Sequence, residues 1–135
     1  MLTSNKADGM EYIEATRQVG ARLADAADHT AAAGAVQLAI EAWKSLAGSD
    51  LAWDHFGLEL LDIRGRLYSD YDDVVVNAAA PVRDDAETRL ALRALVEQLA
   101  RYHERLATDD RDDLARRLSH DADALQLRRA AAALA

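Results

Sequence analysis

The forty residues AETRLALRALVEQLARYHERLATDDRDDLARRLSHDADAL, positions 86–125, decide the fold class. Leu92, Leu95, Leu99, Tyr102 and Leu106 recur at alternating steps of three and four, the spacing that lines apolar side chains along one edge of an α-helix. Leu114, Leu118, Ala122 and Leu125 repeat a similar spacing further on. Between the two runs, Thr108 and Asp109 offer side-chain acceptors that can cap a new helix. Asp110, Asp112 and Asp113 then place negative charge at its positive end. So short a connection leaves room only for antiparallel neighbours, and the sequence predicts a C-terminal helical hairpin closed along the two leucine seams.

The same reading extends toward the N-terminus. Of 135 residues 30 are Ala and 19 are Leu, whereas Val and Ile together number ten, a balance that favours helix and starves a sheet. A first helix is expected from about Asp8 to Thr30, opened by Asp8 and Glu11 at capping-box spacing. A second, from about Ala32 to Ala47, stops at Gly48. Ser49 or Asp50 caps a third that reaches Tyr68. Ser69 and Asp70 start a short fourth ending near Ala80, and Pro81 opens the fifth, where its missing N–H is harmless. Val74-Val75-Val76 has strand composition but no partner strand, so it reads as a buried helical turn. Trp53, Phe56, Leu60, Ile63 and Leu67 line one side of the third helix while Leu51, Leu58 and Leu61 carry apolar surface to the other, which makes that helix the expected centre. The expectation is an all-α fold: a compact helical bundle of five to six helices, residues 1–135 forming a single domain without an internal linker.

Charge narrows the function. With 24 acidic against 16 basic side chains, the net charge of −8 repels polyphosphate and anionic lipid, so neither nucleic acid nor membrane is an expected partner. Arg116-Arg117 and Arg128-Arg129 lie among acids such as Asp112, Asp113, Asp121 and Asp123 and read as a salt-laced surface. The absence of cysteine excludes a disulfide scaffold, a zinc ribbon and a thiol nucleophile. Neither a long apolar run nor a signal-like start is present, which points to the cytoplasm.

Catalytic residues are expected to be none. The carboxylates cluster at helix starts, where capping explains them, no serine stands in a Gly-x-Ser-x-Gly elbow, and no glycine loop can cradle phosphate. No enzyme activity and no cofactor follow. Among the histidines, His29 and His120 fall on helical wheels away from the apolar faces and are expected to be exposed. His55 and Glu59, four residues apart on one side of a helix, can reach a single ion, and with His103 they are the metal-ligand candidates. Their sector also holds Asp62 and Arg66, however, which favours a solvated ion-pair face. His103 lies within the apolar arc between Leu99 and Ala107, where burial favours the neutral imidazole, either as a core residue or lining a pocket. Trp43 and Trp53 flank one turn and join His103 as candidates for a small-molecule pocket.

Two resemblances bear on these residues. The string His55-Phe56-Gly57-Leu58-Glu59 resembles the His-Phe-x-x-Glu segment of hemerythrin-like four-helix bundles, and His103 stands downstream much as a later ligand does in that family. That resemblance implies a metal-binding bundle, although Val74-Val75-Val76-Asn77-Ala78 occupies the stretch where the family carries a second histidine pair. Leu23, Ala26, Ala27, Gly34, Ala39 and Trp43 resemble the small-and-large spacing of a tetratricopeptide hairpin, which implies a stack that holds peptides. The apolar surface on the third helix, added to the seams, exceeds what one small core covers. The expected function is therefore a non-enzymatic protein–protein interaction or regulatory module that contacts a protein partner or itself, as a homodimer. The alternatives are a hemerythrin-like metal-binding bundle and a small-molecule-binding helical protein.

Overall fold

A computed structural model describes residues 10–26, 28–71 and 73–135. Five α-helices account for most of them: α1 (Tyr12–Ala26), α2 (His29–Leu46), α3 (Leu51–Leu67), α4 (Ala86–Ala107) and α5 (Leu114–Ala133). A single 3-10 turn, Ser69–Tyr71, follows α3. The all-α bundle expected from the leucine and alanine spacing is what the chain forms, and α4 and α5 make its C-terminal hairpin. No helix among the described residues is long and apolar enough to cross a membrane.

Four of the five helix starts have a local cause. Asp28, Asp50, Asp85 and Asp113 are the N-caps, their carboxylates accepting hydrogen bonds from backbone N–H groups that have no partner within the helix. Gly48 ends α2 at φ +93, a left-handed conformation that costs glycine little. Asp28 divides what the sequence presents as one long first helix, so α1 is shorter than expected and α2 starts earlier. The expected Asp8 cap lies outside the described residues.

Three expectations are corrected. Residues 74–80 are not a helix: Val75 is 70 % exposed, and the segment runs extended beside Met10, whose N–H donates to Asn77 O while its own carbonyl accepts from Ala79, both at 2.9 Å. Gln37 Oε1 accepts from Val76 N–H at 2.8 Å, and Ser45 donates to Pro81 O at 2.6 Å, so side chains of α2 hold the strap that a helix would have held by itself. Pro81 belongs to this strap rather than opening α4, which begins at Ala86 under the Asp85 cap.

The second correction concerns the centre. Around the core the helices follow the order α1, α2, α3, α5, α4, with α2 also touching α4 across the middle. The most enclosed helix is α2, buried from Ala31 through Val36 and again at Leu38, Ala39, Ile40 and Ala42, because its alanines and Gly34 let neighbours approach closely. Leu51 and Leu58 of α3, at 70 and 69 % exposure, face water instead.

The third correction is the rotation of α5. The seam expected inside the hairpin lies outside: Leu114, Leu118 and Leu125 are exposed, while Asp123, Ala124, Leu127, Ala130, Ala131 and Leu134 are buried. On α4 the expected seam does face inward, with Leu92, Leu95, Leu99 and Tyr102 buried. Small residues on α5 let its backbone close on α4, and Arg128 of α5 clamps the pair by donating to Glu97 and Glu104 of α4.

Candidate metal centre

The rotation of α5 brings a group of polar side chains into the interior. His103, near the C-terminal end of α4, is 2 % exposed. Across the hairpin, His120 of α5 is half-buried and sets its Nδ1 3.3 Å from His103 Nδ1. Asp123 follows three residues later, on the same side of α5, and is 4 % exposed. Ligand-capable atoms of His103, His120 and Asp123 all lie within 4.8 Å of one another.

The surroundings orient each member. Tyr68, at the C-cap of α3, places its hydroxyl 2.8 Å from His103 Nε2 in a buried hydrogen bond. Arg66, two residues earlier, donates to Asp123 Oδ1 at 3.2 Å and to Gln126 Oε1 at 2.7 Å. Gln126 in turn donates to Glu59 and Asp62. On the other side of His103, Tyr102 meets it edge-on with ring centroids 5.5 Å apart, and the Tyr102 hydroxyl bonds to His29 Nδ1.

Electrostatics fix the protonation states. Burial pushes His103 down to about 4, with the charges of His120, His29 and Arg66 adding to the effect, so its imidazole is neutral at pH 7. The Tyr68 hydroxyl is pushed up by burial and stays protonated. A neutral His103 that donates from Nε2–H to the Tyr68 oxygen keeps its Nδ1 lone pair turned toward His120.

The sequence candidates are placed as follows. His103 is in the cluster, but His55 and Glu59 are not. His55 is on the exposed side of α3, and Glu59 accepts from Gln126 at 3.0 Å and pairs with Arg129 at 3.4 Å. The sector shared by Glu59, Asp62 and Arg66 is thus an interhelical contact with α5, not a face turned wholly to water. Trp43 and Trp53 do not converge on a pocket: Trp43 covers Gly57, and Trp53 is buried edge-on against Phe56, with the Arg89 guanidinium 5.7 Å from its ring. A groove of about 490 Å³ runs between α1 and α4 along Ile13, Gly20, Ala24, Leu90 and Leu95, apart from both tryptophans and from His103.

Sequence reasoning missed His120, Asp123 and Tyr68. The wheel that turns Leu118 inward turns His120 outward; with Leu118 58 % exposed, the opposite holds. The available signal was the His-x-x-Asp spacing beside the alanine-rich face of Ala124, Ala130 and Ala131. His29, expected to be exposed, is so on the whole, but its ring packs on Tyr71 and Tyr102. In comparisons with known proteins, no family model, curated protein or solved structure matches this chain.

Proposed function

We propose that the chain binds one divalent transition-metal ion, zinc foremost, between α4 and α5 through His103, His120 and Asp123. The observation that carries this reading is the 3.3 Å separation of the two Nδ1 atoms. A tetrahedral zinc ion with Zn–N distances of about 2.0–2.1 Å holds two nitrogens about 3.3 Å apart. For an N–H···N hydrogen bond the same distance is long.

Three further features support it. His120 and Asp123 have the i, i+3 spacing by which one helix presents two ligands to a bundle interior. His103 is already neutral and carries a hydrogen-bonding partner at the nitrogen that would face away from the ion, the arrangement that orients metal-bound imidazoles. Arg66 bonds Asp123 at Oδ1 and fixes the carboxylate. Two imidazoles and a carboxylate suit zinc and its first-row neighbours rather than calcium or magnesium, which prefer oxygen shells. Three protein ligands leave a fourth position for water.

Calorimetric titration of the untagged chain with zinc chloride tests the reading. The expected result is one ion per chain, with affinity lowered at least tenfold by His120→Gln or Asp123→Asn and unchanged by His55→Gln. Absence of binding, or binding indifferent to His120 and Asp123, overturns it.

A further inference from the structure

The outward face of α5 carries a second, independent observation. Leu114, Leu118 and Leu125 are 62, 58 and 61 % exposed, Ala122 between them is exposed as well, and all four share one side of the helix. A single exposed leucine calls for no explanation. Three at steps of four and seven, with an alanine filling the gap, make a stripe about 16 Å long at 1.5 Å of rise per residue. We infer that this stripe is the contact between two copies of the chain, which pair α5 against α5 in antiparallel fashion across a two-fold axis.

The charges around the stripe select this occupant. When Leu114 of one copy lies opposite Leu125 of the other, Leu118 falls against Ala122, so large side chains meet large at the ends and small at the middle. Arg117 and Asp121 flank the stripe on one side, one helical turn apart. In an antiparallel pair, residues on the same flank meet, so Arg117 of each copy comes to Asp121 of the other. The Arg117 side chain, 33 % exposed, has a 3.4 Å ion pair with Asp110 in its own chain, and the two-fold pairing adds Asp121 of the other copy as a second carboxylate beside it. A parallel pairing would instead bring Asp109, Asp110, Asp112 and Asp113 against their own counterparts, a like-charge arrangement that costs free energy. The two-fold arrangement also closes on itself, so it ends at the dimer. Its core is small beside a standard interface of about 800 Å² per partner, which makes the dimer concentration-dependent rather than obligate.

The test is sedimentation equilibrium of the full chain over a wide concentration range, with a chelator present so that no metal bridges two molecules. The expected result is a monomer–dimer equilibrium. Leu118→Glu weakens it at least tenfold with an unchanged far-ultraviolet dichroism spectrum, and Leu125→Lys does the same. Asp121→Arg alone weakens it, and adding Arg117→Asp to that chain restores it. A strict monomer up to millimolar concentration overturns the inference, as does a dimer indifferent to Leu118→Glu. A dimer that Leu118→Glu disrupts but the charge exchange fails to restore overturns the antiparallel pairing.

Discussion

His103 and His120 face each other Nδ1 to Nδ1 across the seam of the C-terminal hairpin, 3.3 Å apart. One proton at most fits between two such nitrogens. The pair must therefore hold a shared hydrogen bond or an ion, and a second proton drives the rings apart.

Acid should accordingly weaken the metal-free fold before ordinary carboxylates titrate. His103 is lowered to about 4 by burial, reinforced by His120, His29 and Arg66, whereas in the unfolded chain it titrates near the usual 6.5. Between those values the unfolded chain binds a proton that the folded chain does not. Stability from this group is then complete above about pH 6.5 and is lost as pH falls toward 4, by up to about 3 kcal/mol. Urea denaturation at a series of pH values checks this. His103→Gln should flatten that part of the profile, and a stability constant from pH 7 to 4.5 contradicts it.

Tyr68→Phe removes one hydroxyl and leaves His103 Nε2 buried without its partner. The expected cost is about 1–3 kcal/mol in chemical denaturation. Zinc affinity should fall by about tenfold to a hundredfold, because the imidazole loses the group that orients it. An unchanged affinity in a folded variant would show that Tyr68 does not position the ligand.

Two glycines on α3 should respond in opposite directions. A Cβ on Gly57 overlaps the Trp43 indole, so Gly57→Ala must displace a large ring, and overpacking of this kind costs about 1–3 kcal/mol. Gly65 has nothing within 4 Å of that position, and alanine there gains up to about 1 kcal/mol of helix propensity. Thermal unfolding of the two variants separates the cases, and equal shifts would contradict the Trp43–Gly57 contact.

The start of α5 offers a comparison of caps. Asp113 accepts from Arg116 N–H at 2.8 Å, so Asp113→Ala should cost about 1 kcal/mol. Thr108 instead closes the end of α4, and Thr108→Ala should stay within about 0.5 kcal/mol. The reverse ranking would place the helix start where the sequence first suggested it.

What the sequence made legible followed from leucine spacing and local caps. The run from Leu92 to Tyr102 identifies both α4 and its inner face, and Gly48 and Asp50 mark ends that depend only on neighbouring backbone. The rotation of α5 was not legible, because leucines at 114, 118 and 125 outweigh alanines on any hydrophobic scale, whereas close approach of α4 and α5 favours the smaller side chains. That single rotation decides the site, since it carries His120 and Asp123 inward together. The strap at 74–80 was hidden for a different reason: its backbone partners, Met10 and Gln37, are remote in sequence. His103 could be placed inside from its own helix alone, but its companions could not.

The most direct test of the central claim is X-ray absorption spectroscopy of the untagged chain loaded with one equivalent of zinc. The account predicts a four-coordinate shell at about 2.0–2.1 Å with the multiple-scattering signature of two imidazoles, reduced to one in His120→Gln. A shell of oxygen atoms alone, as for an ion held by surface carboxylates, would contradict it.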